Sequence, residues 1–290
     1  MKLLDLHTHS CASDGTLTPT EVVQRAIEKD LAAIALTDHD TIDGVEEAMN
    51  AATGTSLELI PGIELSCYYK LPEEDISGIK EVEIHVLGLF VDYKNPDFTG
   101  ALDALKEARE NRNLKMVQLF QNAGIPMTME KLQQGNPNSV ITRAHFARVL
   151  IEEGIVKNKD QAFKKYLGIG CPYYLPKPTV TPEYIIPLIK QAGGIPILAH
   201  PLLYKLGYRQ VETLLDYLIG LGLQGLEAYH SSNNHYESDR LRSMANAKGL
   251  VVSGGSDFHG SNKPDIDLGT GRGNLRITEH ILNQIKDIRR

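Results

Sequence analysis

Cysteine is scarce in this sequence. Cys11, Cys67 and Cys171 stand far apart among 290 residues, odd in number and with no Cys-x-x-Cys. A disulfide framework and a thiolate-rich zinc site are therefore both excluded. Long apolar runs are missing too, none approaching the roughly 18 residues that a membrane-crossing helix needs. The first residues, Met1-Lys2-Leu3-Leu4-Asp5-Leu6-His7, reach an acid and an imidazole too early for a signal peptide, so a cytoplasmic location is expected. Basic charge is in deficit, with 30 Lys and Arg against 37 acids and a formal charge of −7. Proteins that coat long nucleic acids carry the opposite balance. A small anionic substrate is not excluded, because metals or a few arginines can override net charge locally. No Gly-x-Ser-x-Gly elbow and no Walker-type phosphate loop is present.

What is present is an ordinary globular composition, 42% hydrophobic with 25 Gly and 14 Pro, enough for a sizeable core. Lys2–Leu6, Ala32–Leu36, Leu57–Ile60, Val82–Leu89, Ile195–Ala199, Gly225–Ala228 and Leu250–Ser253 each read as a buried strand. Helix signals stand between several of them. Thr18-Pro19-Thr20-Glu21 combines an N-cap, a first-turn proline and a capping-box acid, and Thr181-Pro182-Glu183 repeats the Thr-Pro start. Gly193, Gly194 and Gly249 suit left-handed helix ends. Such alternation favours an α/β fold with a parallel sheet, open or closed into a barrel. Between residues 95 and 177 the rhythm breaks. Phe98–Ala123, Thr142–Glu153 and a third segment near Lys159–Leu167 read as helices with no strand between them. The expected organisation is a barrel of residues 1–94 and 178–290 carrying a helical insertion of residues 95–177.

The histidines show where the chemistry lies. Strand one is followed by His7, His9 and Asp14, strand two by Asp38, His39 and Asp40, and strand three by Glu64. His85 sits within strand four, His200 and His230 close strands five and six, and Asp257 and His259 follow strand seven. Singly each is a weak signal, since a histidine near a strand end is usually a satisfied polar group. Together they fall where α/β folds bind ligands. Residues two apart on an extended chain point the same way, so His7 with His9, and Asp257 with His259, can face one ion. Asp5 shares the side of His7 and can orient a ligating imidazole from behind, and Asp38 is a second candidate for such a supporting role. Histidine and carboxylate without cysteine suits Mn²⁺, Zn²⁺ or Fe²⁺. The set is too large for one ion, so two or three are expected, with Glu64 as the best bridging carboxylate.

These blocks resemble the PHP (polymerase and histidinol phosphatase) superfamily. Asp5-Leu6-His7-Thr8-His9-Ser10, Ser13-Asp14-Gly15, Leu36-Thr37-Asp38-His39-Asp40-Thr41, Pro61-Gly62-Ile63-Glu64, the His85 segment, Ala199-His200-Pro201 and Gly255-Ser256-Asp257-Phe258-His259-Gly260 follow in that family's order. The Ser-Asp-Gly block and the insertion are most similar to its stand-alone, TrpH-like branch, which includes phosphatases of AMP and 3′,5′-bisphosphate nucleotides and a 5′–3′ exonuclease of short RNAs. The resemblance implies a distorted (β/α)7, TIM-like barrel with a trinuclear metal site. His7, His9, Glu64 and Asp257 would hold one ion. Glu64, His85 and His200 would hold a second, and Asp14, His39 and His259 a third.

The expected activity is metal-dependent hydrolysis of phosphomonoesters of small nucleotides. Bound divalent ions lower the pKa of water from roughly 15.7 towards about 7 and clamp phosphoryl oxygens. A metal-bound hydroxide is then the expected attacking group, with no serine or cysteine nucleophile. Arg143, opening a helix in Ile141-Thr142-Arg143-Ala144-His145, is a candidate phosphate ligand, with His145 beside it. His230 is a candidate phosphate contact or proton donor to the leaving oxygen. Tyr173, Tyr174 and Lys177 can line a nucleotide pocket or simply pack a linker. The alternatives are a 5′–3′ exonuclease on short RNA, a histidinol-phosphate phosphatase, and a structural metal-binding module without activity. No obligate protein partner is evident.

Overall fold

The computed structural model describes residues 2–75, 77–134, 139–176 and 180–289. Lys177 and Pro178, where the insertion was expected to rejoin the barrel, lie outside them. Seven strands form one sheet in chain order: β1 (Leu4–Thr8), β2 (Ala33–Leu36), β3 (Glu58–Lys70), β4 (Glu81–Leu89), β5 (Ile195–Leu198), β6 (Gly225–His230) and β7 (Val251–Gly255). The sheet curls until its edges meet. The Asp257 N–H donates to the His7 carbonyl at 2.9 Å, and the His9 N–H to the Phe258 carbonyl at 2.9 Å. The molecule is a distorted, nearly closed α/β barrel.

One expectation needs correction: the sheet is not all parallel. β1, β2 and β3 pair in parallel, as do β5, β6 and β7, but β4 runs antiparallel to both of its neighbours. The physical reason is the connection. β3 continues to Lys70 and turns back after ten residues into β4, too few for the helical crossover that a parallel strand requires. Glu64 consequently lies inside β3 rather than after it. The reversal brings the middle of β4, and with it His85, to the end of the barrel where the other strands finish.

Helices cover the sheet: α1 (Pro19–Glu28), α2 (Val45–Ala52), α7 (Pro182–Gln191), α8 (Tyr208–Leu221), α9 (His235–Ala247) and α10 (Glu279–Asp287). Helix α1 starts as its sequence dictates. Thr18 caps it in a reciprocal box with Glu21, with Pro19 in the first turn. Thr181 precedes Pro182 without making a side-chain cap bond. Leu4 and Leu6 of β1, Ala33 and Ala35 of β2, Leu87 and Leu89 of β4, and Ile195 and Ile197 of β5 share one buried cluster with Leu282 and Ile285 of α10. The alternate residues Ile34 and Leu36 pack on Val22, Val23 and Ala26 of α1 and Ala48 of α2.

Between β4 and β5 come α3 (Pro96–Asn122), α4 (Met129–Gln133), α5 (Arg143–Glu152) and α6 (Lys159–Ala162), the last continuing as a π-helical turn, Phe163–Leu167. They build a core of their own from residues such as Met116, Phe120, Phe146, Leu150 and Leu167. The 27-residue α3 ties this core to the barrel. Its Phe98 and Leu102 pack with β3, β4 and α7, while Met116, Val117 and Phe120 join the insertion core. Between those ends the same buried stripe carries Arg109, Arg112 and Asn113. Among the described residues no helix is long and apolar enough to cross a membrane.

Candidate metal centre

Glu64 is the hub. Its carboxylate is fully buried and faces five imidazoles. Oε2 lies 3.2 Å from His7 Nε2, 3.2 Å from His9 Nε2 and 3.1 Å from His39 Nδ1. Oε1 lies 2.8 Å from His85 Nδ1 and 2.8 Å from His200 Nε2. Asp257 Oδ1 adds a second carboxylate, 3.5 Å from His9 Nε2 and 3.3 Å from His259 Nδ1. Asp14 Oδ1 is 3.1 Å from His259 Nε2 and 3.8 Å from His39 Nε2. The barrel thus gathers all nine expected metal ligands into one cluster. Their donor atoms form four overlapping groups: His9, Asp14, His39 and His259; His7, Glu64 and His200; His7, His9 and Asp257; and His39, Glu64 and His85.

Two backbone features aim these side chains. His200 and Asp257 sit at φ 24° and 57°, conformations that L-residues rarely adopt, and their side chains meet Glu64 and His9. Gly255 lets the sheet close. A β-carbon there would meet the His7 Cβ at 2.2 Å and the His7 nitrogen at 2.5 Å.

The surroundings fix the histidine tautomers. His7 Nδ1 is 2.9 Å from Glu227 Oε1, which makes it the protonated nitrogen and leaves the Nε2 lone pair facing Glu64. His259 Nδ1 donates to the Asp257 carbonyl at 2.9 Å, so its Nε2 lone pair faces Asp14. Glu227 also accepts the His200 N–H at 2.7 Å. Its role as the group behind the ligands was missed in the sequence, although an acid inside the apolar run Gly225–Ala228 is a visible signal. Asp5 acts differently from expectation. It accepts the backbone N–H groups of Ser256 and Gly269, each at 2.8 Å, and that of His7 at 3.3 Å, and orients no imidazole. Asp38 likewise binds Ser10 and Ser13 rather than an imidazole, pinning the loop after β1.

Charge is concentrated here. Burial would raise the Glu64 carboxyl, yet the surrounding imidazoles hold it well below the usual carboxylate range. Burial would lower His7, but Glu227 and Glu64 hold it well above its ordinary value, and His9 is raised to about 9 by Asp257 and Glu64. Burial wins at His39, His200 and His259, which are all lowered. Whether divalent ions fit is answered by the polar atoms. Among the described residues, seven of the twelve buried side-chain N and O atoms lacking a hydrogen-bond partner belong to this cluster: His7 Nε2, both ring nitrogens of His9, Asp14 Oδ1, His39 Nδ1, Glu64 Oε2 and His200 Nδ1. Stranding so many polar atoms in a core is costly. Divalent ions here would take the place of the protons that Glu64 and Asp257 hold on His7 and His9, and would satisfy one nitrogen of each ring and the facing carboxylate oxygens.

The remaining candidates divide. His230 is buried against the cluster, with Nε2 3.3 Å from Asp257 Oδ2, and belongs to none of the four groups. Its Nδ1 accepts the Ser232 N–H at 3.1 Å, so the neutral ring carries its proton on Nε2. Arg143 opens α5, pairs with Glu83 and lines a cavity of about 140 Å³ beside Asp14, His39 and His85. The α5 cap, Thr142, donates to Asp14 Oδ2 at 3.0 Å, which ties the insertion to the centre. His145 is drawn into that cap, where its Nδ1 accepts the Thr142 N–H at 3.0 Å, and it does not line the cavity. Tyr173 stacks on Phe120 at 4.3 Å and packs the insertion core, whereas Tyr174 lies 5.7 Å from the Arg143 guanidinium. Lys263 was not anticipated. Its Nζ is 2.6 Å from Asp257 Oδ2.

Comparison with known proteins agrees with this geometry. Residues 5–166 match the PHP domain family. A 5′–3′ exoribonuclease of Haemophilus influenzae is 37% identical over 258 residues, covering 89% of this chain and 90% of that protein. A 3′,5′-nucleoside bisphosphate phosphatase of Chromobacterium violaceum is 34% identical over 270 residues, covering 93% and 91%. A solved structure from Chromobacterium violaceum, described as an amidohydrolase with bound sulfate and no metal, superposes with a TM-score of 0.83 at 32% identity, covering 98% of this chain and 96% of that one. The chain belongs to the PHP domain family and is a metal-dependent hydrolase of phosphate esters.

Proposed function

We propose that this protein removes phosphate from small phosphorylated nucleotides, with two to three divalent ions held by His7, His9, Asp14, His39, Glu64, His85, His200, Asp257 and His259. The observation that carries this reading is Glu64, one buried carboxylate placed among five imidazoles. Mn²⁺, Zn²⁺ and Fe²⁺ all suit such a donor set. When bound, such ions supply Lewis acidity and a nucleophile available at neutral pH. The chain's residues do the rest. His7 and His259 present fixed lone pairs because Glu227 and the Asp257 carbonyl hold their other nitrogens. Arg143, at the N-terminus of α5, offers a guanidinium to phosphoryl oxygens and must leave Glu83 to do so. His230 carries its proton on the nitrogen facing the centre, where it can be delivered to the leaving oxygen. The insertion's Arg109, Arg112, Thr142 and Arg143 line the cavity beside the centre, which suits a small anionic substrate.

The test is a substrate panel with Mn²⁺: AMP, adenosine 3′,5′-bisphosphate and a short 5′-phosphorylated RNA. Phosphate release from the nucleotides, faster than nucleotide release from the RNA, is expected. Preferential shortening of the RNA would replace this reading with an exonuclease. Inactivity on all three would leave a structural metal module.

A further inference from the structure

Lys263 touches a proposed metal ligand and has no part in the chemistry described above. It follows the short 3-10 turn Gly260–Asn262 beyond β7, and its Nζ lies 2.6 Å from Asp257 Oδ2. This is no loose surface pair, since the Asp257 side chain is only 7% exposed and that of Lys263 33%. Three contacts keep the turn in place. The Ser261 N–H donates to Thr16 Oγ1 at 2.9 Å, and the Asn262 side-chain amide donates to the Asp14 carbonyl at 2.8 Å. From the insertion, the Lys159 ammonium of α6 donates to the Asn262 carbonyl at 2.6 Å. Gly260, at φ 61°, permits this closeness, because a β-carbon there would run into Thr16 Oγ1. The Lys263 ammonium is thus delivered to Asp257 by backbone anchored both to the loop after β1 and to the insertion.

The two oxygens of Asp257 meet different company. Oδ2 receives Lys263 at 2.6 Å and the protonated Nε2 of His230 at 3.3 Å. Two donors occupy both lone pairs of that oxygen. Oδ1 instead faces ring nitrogens of His259 at 3.3 Å, His9 at 3.5 Å and His7 at 3.8 Å, and Asp257 joins the last two in one of the four donor groups. Burial would raise the Asp257 carboxyl, and Lys263 is the foremost group holding it well below the usual carboxylate range. Resting on the ions proposed above, we propose that Lys263 is a positioning residue that confines Asp257 to one oxygen toward the ion, Oδ1, by withholding the other. A carboxylate that grips through both oxygens fills an additional position around an ion, whereas a catalytic site needs a position left open. A lysine suits this task better than a neutral donor. Its charge also weakens the carboxylate's hold on a nearby cation, so Lys263 lowers ion affinity and raises access.

The probe is Co²⁺ added to metal-stripped protein, because its visible absorption weakens as the number of groups bound to the ion rises. The variant Lys263→Met removes the ammonium and keeps an unbranched side chain. Its absorption per bound Co²⁺ should fall below that of the wild type. Its release of Co²⁺ to a chelator should slow about tenfold or more, since a positive charge has left the neighbourhood of a ligand. With Mn²⁺, kcat should fall about 10–100-fold, the range found for groups that support ligands. Lys263→Arg keeps the charge and should restore the wild-type spectrum and release rate, which a merely structural role would not require. An unchanged spectrum and release rate in Lys263→Met, or faster release, would overturn the proposal. So would an effect confined to KM, which would make Lys263 a substrate contact. Should Lys263→Met fail to fold by circular dichroism, Lys263→Gln loses the same charge and is judged by the same readouts. A wild type that holds Co²⁺ but hydrolyses no phosphate ester would end the functional reading above, while the spectrum and the release rate would still judge Lys263.

Discussion

At the scale of single residues, the candidate centre depends on groups outside the nine proposed ligands. Glu227 holds His7 through Nδ1 and His200 through its backbone N–H, so both proposed ligands depend on one buried carboxylate. Replacing Glu227 with Ala should weaken metal affinity about 10–100-fold. It should also cost about 1–3 kcal/mol of stability, because two buried donors lose their acceptor. Metal titration with a fluorescent competitor and urea unfolding check the two effects. Wild-type affinity in this variant would remove Glu227 from the account. The nine candidate ligands were legible in the sequence because these histidines and carboxylates fall within or soon after six of the seven strand segments. The groups behind them were not. Asp5 and Asp38 were placed correctly near the centre, but which donor each accepts depends on backbone N–H groups up to 264 positions away, such as that of Gly269. Arg109 and Arg112 were legible only in principle, as cations standing on the buried stripe of a helix.

At the scale of elements, the centre is a product of strand direction and closure. Alternation of apolar runs and helix signals located all seven strands. It could not show that β4 runs backwards, because an antiparallel return differs from a parallel one only in the length of its connection. His85 therefore reaches the centre from the middle of a strand, and the Tyr204 hydroxyl holds the place by accepting the His85 N–H at 3.0 Å and donating to the Ala199 carbonyl at 2.6 Å. Closure depends on Gly255, where a β-carbon has no room beside the His7 backbone. Gly255→Ala should force β1 and β7 apart, cost about 1–3 kcal/mol as an overpacked core site does, and reduce metal content after purification. Differential scanning calorimetry and elemental analysis measure the pair of effects. A variant with normal stability and full metal content would contradict this view of the seam.

At the scale of the whole molecule, an acidic chain would present a positively charged mouth once the proposed ions are bound. The formal charge of −7 omits two or three divalent cations, and those ions with three arginines would stand at one end of the barrel, against the buried carboxylates gathered there. The insertion completes that end. α5 brings Arg143, α3 brings Arg109 and Arg112, and Thr142 binds Asp14 directly. Sequence periodicity foresaw those helices except the short α4. It did not show how they dock, because the docking rests on buried polar contacts that no hydrophobic pattern records. The central claim is that turnover belongs to ions held around Glu64 and Asp257. The direct measurement is phosphate release from adenosine 3′,5′-bisphosphate by chelator-stripped protein, before and after adding Mn²⁺, for the wild type and for Asp257→Asn with unchanged circular dichroism. The account predicts no turnover before addition, recovery in the wild type, and at most about one hundredth of that rate in the variant. Undiminished turnover by the stripped wild type, or full recovery in Asp257→Asn, would contradict it.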